Sequence, residues 1–380
     1  MINFKLSQLN SFVFLINQTF KTSMKNPLFL FVLYCTLFGV LVSCNESDVT
    51  PDEADDEEVS VSVEPSLFLT AGLSEPITIV SRTLSDGKTA DCYKIVVTST
   101  PADHTMGPWC PTSISDDASK GGIWLDDGQV FDVDGTFVKN LAEFFGDKTW
   151  MMYNNSTGKI TKTSTEKECE EAANPNVGEE YKNYCVECLP TYVANLTHTY
   201  YIPVNPKAAK TPYSFSRGGP GGPPPGGGKD RPTDQGSERP PRGEGPRPPR
   251  SSMNMIPSVR GLAFNGVVFD APAPVDRILG AYTLAPFDDA GGHINVNQGY
   301  HYHAATGLSF SVEQSDNHAP LIGYAADGYG IYAYLDENEV EATGLDDCRG
   351  HYDDVRGYHY HVDYAGNNNF INGLHGEYAK

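Results

Sequence analysis

Asp288-Asp289-Ala290-Gly291-Gly292-His293, five residues, then Gly299-Tyr300-His301-Tyr302-His303: this stretch returns 58 residues later as Asp346-Asp347-Cys348-Arg349-Gly350-His351, five residues, then Gly357-Tyr358-His359-Tyr360-His361. Nine of the sixteen positions are identical without a gap, and six of the ten histidines of the chain fall inside the two copies. Scarce residues placed twice at one spacing ask for a chemical reason.

Alternate side chains of a strand share a face. His301 and His303 then point one way, with Cα atoms roughly 6.6 Å apart, and Tyr300 and Tyr302 point the other. His359, His361, Tyr358 and Tyr360 repeat the arrangement. The five-residue connections each end at a glycine, which suits a hairpin-like turn. Such a turn returns His293 beside His301 and His303, and His351 beside His359 and His361. Converging imidazoles suit zinc, copper, iron or nickel. Three protein ligands with an open fourth place are the pattern of a reactive site. We therefore expect His293, His301, His303, His351, His359 and His361 to hold a divalent transition metal, copper or zinc. Asp288, Asp289, Asp346 and Asp347 are placed either to take the second ring N–H of a ligand histidine or to cap turns. The competing reading is a folding motif, with histidines bonded to backbone carbonyls and tyrosines packing a core. Two mononuclear sites and one shared six-histidine site are both open, and duplicated β units that face each other favour the shared one.

Outward from the repeat, short apolar runs alternate with turn residues. Ile77–Val80, Tyr93–Val97, Gly122–Leu125, Gln129–Phe131, Thr199–Val204 and Gly261–Phe269 read as strands, separated by turns such as Asp86-Gly87 and Asp127-Gly128. Short helices are expected over Lys139–Phe145 and Thr165–Ala173, the second capped by Thr165 with Glu168 three residues on. The fold expected is mainly β with a few short helices, sandwich-like or an irregular barrel. Residues 216–252, rich in Gly, Pro and Arg, read as a disordered insertion within one domain, between two paired strands. A long loop there costs entropy only slowly with length.

The N-terminus reads as a leader. Lys25 precedes the apolar run Leu28–Val40, which ends in Leu41-Val42-Ser43-Cys44. A charged start, an apolar stretch and small residues make an export signal; a single membrane-spanning anchor is the alternative. The last four residues resemble the lipobox of bacterial lipoproteins, which implies acylation of Cys44 and attachment to a membrane without spanning it. The organisation expected is 1–43 leader, 44–64 lipidated cysteine plus acidic tether, and 65–380 the β domain. An acidic stretch just after the lipid cysteine also resembles a signal for export to the surface of the bacterial outer membrane. Beyond residue 43 the chain has 24 basic against 49 acidic side chains, a charge of −25. That balance argues against nucleic acid as a partner. Cys92, Cys110, Cys169, Cys185, Cys188 and Cys348 remain after Cys35 and Cys44, an even number that in an exported protein reads as disulfides of undetermined pairing. Cys185-Val186-Glu187-Cys188 has redox spacing, but no βαβ pattern surrounds it, so a structural role is expected.

Tyr300-His301-Tyr302-His303 and Tyr358-His359-Tyr360-His361 resemble the YHYH family of mostly exported proteins. The likeness extends to Pro320–Tyr332 between the motifs and to Pro101–Trp109 upstream, and so spans roughly residues 90 to 380. It implies a domain type and export, and no reaction; by it, His104 is an extra candidate ligand. Three function classes follow. One is a lipid-anchored metal-binding protein. A second is a metal-dependent extracellular enzyme, a zinc hydrolase or a copper oxidase. The third is a binding or adhesion module with structural histidines. No serine-nucleophile elbow, phosphate loop or HExxH helix points elsewhere.

Overall fold

The computed structural model describes residues 59, 61–173, 177–215 and 258–380. The leader, Cys44, the start of the acidic tether and the whole 216–252 tract lie outside the described residues. No helix of the described residues is long and apolar enough to cross a membrane.

In chain order the strands are β1 (Thr78–Thr83), β2 (Thr89–Thr98), β3 (Ile123–Asp126), β4 (Gln129–Asp132), β5 (Thr197–Pro203), β6 (Ala208–Ser214), β7 (Gly261–Ala263), β8 (Val268–Phe269), β9 (Gly292–Asn295), β10 (Gly299–Tyr302), β11 (Leu321–Ala325), β12 (Gly330–Tyr332), β13 (Gly350–Asp353), β14 (Gly357–His361) and β15 (Gly373–Gly376). Among the described residues four short α-helices punctuate them: α1 (Gly135–Lys139), α2 (Leu141–Phe144), α3 (Glu166–Ala172) and α4 (Val275–Gly280). Mainly β with few helices is what the patterning anticipated. The predicted helix over Lys139–Phe145 resolves into α1 and α2, which meet at Asn140. Thr165 caps α3 as expected, its side chain accepting from the Glu168 N–H.

The organising element is an eight-stranded sheet in the order β13-β14-β12-β11-β7-β8-β10-β9. Its two ends do not pair, so the irregular barrel does not form. The run Gly261–Phe269 is not one strand but two. Asn265-Gly266 turns the chain, with Gly266 at φ +87, where glycine carries no Cβ penalty, and Ala263 N–H donates to the Val267 carbonyl at 2.8 Å. Asp327-Gly328 makes the same turn between β11 and β12, with Gly328 at φ +93 and Ala325 N–H on the Tyr329 carbonyl at 2.8 Å.

The duplicated unit is therefore larger than the sixteen-residue motif. Each half is an antiparallel pair, a parallel neighbour and the histidine hairpin: β7-β8-β10-β9 and β11-β12-β14-β13. The halves join antiparallel through β7 and β11, where Leu262 pairs with Tyr324. In the hairpin-turn alignment, offset by 62 residues, these two are equivalent positions. The repeat thus meets itself across a local two-fold axis at the centre of the sheet, and the histidine hairpins lie at its two outer ends.

Register carries one face across the sheet. His301 pairs with Val268, Val268 with Leu262, Leu262 with Tyr324, Tyr324 with Gly330, and Tyr332, two residues on, with His361. Both sets of histidines therefore share one face. On the middle of that face sits the antiparallel sheet β1-β2-β5, whose Ile95, Val97, Tyr200 and Ile202 pack with Leu262, Val268, Tyr324 and Tyr332. The opposite face buries the motif tyrosines with Trp109, Phe370 and Leu374.

Three expectations need correction. The strand that precedes 216–252 is β6, which pairs with β15, and β5 pairs with β2. The tract therefore connects two different sheets rather than two paired strands. The chain enters the fold before residue 65: Val63 is buried, and its N–H donates to the Val204 carbonyl at 3.1 Å. Of the six cysteines, Cys110 bonds Cys185 and Cys169 bonds Cys188, while Cys92 and Cys348 are free and buried. Cys185 and Cys188 serve two separate bridges, the structural role expected of them, and only the expectation that all six cysteines pair fails.

Candidate metal centres

In the first hairpin β9 and β10 place His293 directly opposite His301, with His303 just past the end of β10. The three ring centroids stand 4.8, 4.9 and 4.8 Å apart, with the rings nearly perpendicular to one another. In the second hairpin His351 lies opposite His359, and His361 ends β14. Here a fourth ring joins. His318, from the segment before β11, sits 4.9 Å from both His359 and His361. Two histidine groups able to hold an ion result, one of three rings and one of four, with the ligand atoms of each group within 4.8 Å of one another. They are separate, so of the two arrangements left open the one with two sites is the one the fold allows.

Hydrogen bonding fixes the tautomers. His301 Nδ1 meets the Gly299 carbonyl at 3.0 Å, and His303 Nδ1 meets that of Ala271 at 2.5 Å. In the second group His318, His351, His359 and His361 Nδ1 meet the carbonyls of Ala319, Thr343, Gly357 and Ala333 at 3.0, 3.0, 3.0 and 3.3 Å. A carbonyl can only accept, so each of these Nδ1 atoms carries the proton and donates. Each neutral ring then presents a bare lone pair at Nε2. Yet His303 and His293 bring their Nε2 atoms to 3.2 Å, His318 and His359 to 3.1 Å, and His351 and His359 to 3.0 Å. His361 Nε2 is buried with no hydrogen-bond partner among the described residues.

In the His318–His359 and His351–His359 pairs, where every Nδ1 holds the proton, two lone pairs at such a distance repel unless one ring is protonated or a cation lies between them; a His293 with its proton on Nε2 would donate to His303. Protonation is disfavoured. Burial drives His359 down to about 4 and His361 down to about 3, with neighbouring rings pushing the same way. Burial also holds His293 and His303 well below the ordinary value, and lowers His301 and His318. The donor set fits a metal. Zn–N bonds of about 2.0–2.1 Å at tetrahedral angles set ligand nitrogens roughly 3.3 Å apart, close to what the rings already show.

The aspartates act elsewhere. Asp288 accepts from Gly107 N–H, Gly292 N–H and the Tyr300 hydroxyl, at 3.0, 3.1 and 2.8 Å. Asp346 accepts from Cys348 N–H, Gly350 N–H and the Tyr358 hydroxyl, at 2.8, 3.0 and 2.9 Å. They close the turn and tie down the tyrosine on the face opposite the histidines; backbone carbonyls, not carboxylates, orient the rings. Asp289 and Asp347 are exposed. His104 is also on the tyrosine side, bonded to Asp103 and to the Tyr300 hydroxyl and stacked on Tyr302, so it joins neither group.

The halves differ in detail. Asp353 lies 3.9 Å from His359 Nε2 and is held at about 2 by hydrogen bonds from Arg356 against its burial. The first group lines a cavity of about 230 Å³, shared with Asp270. His318 escaped sequence reasoning because it stands outside the repeat: at the 62-residue offset its counterpart is Ile256, which cannot ligate. Asp270 escaped for the same reason, its counterpart being Tyr332.

Residues 244–342 match the model of the family described as YHYH protein. The matched segment contains the first hairpin, the Asp327-Gly328 turn and His318, and ends before the second tetrapeptide. No curated protein and no solved structure matches the chain.

Proposed function

We propose, for a chain that carries this YHYH segment, that it binds two transition-metal ions, copper or zinc, one at each histidine group. One observation carries the reading: in the second group the unprotonated Nε2 atoms of His318 and His351 oppose that of His359 at 3.1 and 3.0 Å, while Nδ1 of each of the three rings donates to a carbonyl. Imidazole donors suit either metal. His293, His301 and His303 would hold the first ion, and His318, His351, His359 and His361 the second. A bound ion there would act as a Lewis acid.

Elemental analysis of protein purified without an affinity tag tests this, with two ions per chain expected. His301→Ala/His303→Ala should leave one. His318→Ala should keep the first ion and weaken the second at least about tenfold, as loss of a direct ligand does more than the loss of its orienting partner. Equal metal in all three proteins defeats the proposal. The enzyme reading, a zinc hydrolase or copper oxidase, is favoured over pure binding by the cavity at the first group alone.

We further infer export and lipid attachment at Cys44, with the acidic tether holding the domain off the bacterial outer membrane, facing periplasm or cell surface. The lipobox-like Leu41-Val42-Ser43-Cys44 supports it, as do two disulfides, which persist in oxidising compartments. Cys44→Ala should shift the protein from the membrane to the soluble fraction; unchanged partition would refute the anchor.

A further inference from the structure

The two histidine groups are built from equivalent strands but completed differently. In the second, His318 supplies a fourth ring, and Tyr332 packs on His318, His359 and His361 at 4.7, 5.0 and 5.9 Å. Imidazole and aromatic ring fill that side. In the first, the position equivalent to Tyr332 is Asp270, and no fourth histidine belongs to the group. Instead all three rings line the cavity of about 230 Å³, whose other walls include Trp109, Val186, Pro274, Ile278 and Ala285.

Asp270 is one polar group of that space, beside Arg277, Thr283, Asn295 and Gln298. It is 6% exposed; Oδ2 accepts from Gln298 Nε2 at 2.6 Å, and Oδ1 is buried with no hydrogen-bond partner among the described residues. A buried acceptor left unpaired costs free energy that an incoming donor recovers. The size is also informative. An apolar cavity of about 150 Å³ holds benzene, so this one admits a five- or six-membered ring with a small substituent.

Resting on the metal reading above, we infer that the first centre keeps a coordination position open to the cavity for a small, mostly apolar ligand. That ligand carries a metal-donor atom next to an N–H or O–H, and Asp270 Oδ1 accepts the hydrogen bond. A pyrazole or a catechol has this chemistry. The second centre is closed by His318 and Tyr332 and takes no such ligand. The cavity wall selects for ring size, and Asp270 selects for the donor.

Cobalt(II) loading of the full chain, followed by visible spectroscopy, tests it, with pyrazole as the probe and N-methylpyrazole, which lacks the N–H, as the control. Pyrazole should change the spectrum of wild type and of His318→Ala/His359→Ala, and leave that of His301→Ala/His303→Ala unchanged. Wild type should bind pyrazole about tenfold or more tightly than N-methylpyrazole, and Asp270→Ala should lose the preference while still taking up cobalt. A pyrazole response in His301→Ala/His303→Ala overturns the inference. So does none in protein loaded at both centres, or equal binding of the two probes by wild type, which decides the point even should Asp270→Ala fail to fold. Failure to take up cobalt at either centre overturns the metal reading and this inference with it.

Discussion

Asp327 and Asn265 occupy equivalent turns, and each side chain bonds the hydroxyl of a motif tyrosine, Tyr360 at 2.6 Å and Tyr302 at 2.7 Å. Only Asp327 can ionise. It is fully buried, and burial raises its carboxyl to about 6, against the hydrogen bonds from Tyr360 and Gly376. The folded state therefore keeps this proton to higher pH than the unfolded chain, whose value is near 3.8. Its stabilising contribution is complete below that value and is lost as pH rises through about 6. Asp327→Asn removes the dependence. Urea unfolding of both proteins at pH 4, 5 and 7.5 should show wild type losing up to about 3 kcal/mol relative to the variant between the extremes. A constant difference would show that the carboxyl does not titrate in this range. At this scale the repeat made six of the seven clustered histidines legible. His318 and Asp270 were hidden because their counterparts, Ile256 and Tyr332, share no chemistry with them. The aspartates were left between two roles for a related reason. Spacing alone does not reveal whether a carboxylate turns toward the histidine or the tyrosine face.

Among the elements, α3 shows how local signals can be complete. Thr165 accepts from Glu168 N–H, and the Glu168 carboxylate accepts from Ser164 N–H at 2.7 Å, closing a reciprocal cap that was readable in the sequence. What was not readable is what this helix encloses. Cys169 ties it to Cys188, and its C-terminal Ala172 and Ala173, with Cys188, wall the cavity beside the first histidine group. Cys169→Ala/Cys188→Ala should cost about 2–4 kcal/mol in urea unfolding. In metal-loaded protein it should also speed chelator extraction from the first centre while leaving the second unchanged. Uniform acceleration at both would mean the bridge acts only through global stability. The strand pair β7-β8 marks the opposite case. Gly261–Phe269 is apolar enough to pass for one strand, and only the Asn265-Gly266 dipeptide betrays the hairpin inside it.

For the molecule as a whole, the mainly β character followed from alternating apolar runs and turn residues, but sheet order did not. A repeat in sequence states that two units are equivalent. It does not state which edges they share. Here the shared edge is β7 against β11, set by the pairing of Leu262 with Tyr324, so the histidine hairpins face outward from the axis rather than toward it. The same limit hid the role of β6, whose partner β15 comes from the very end of the chain.

That axis has a further consequence. From β10 to β14 there are five strand spacings, on the order of 24 Å, about three times the distance over which charge is felt in physiological salt. On the proposed metal reading, filling one margin would then change the other's equilibrium little. The singly filled molecule would then be a distinct species, its abundance governed by ion supply and by the two sites' own affinities.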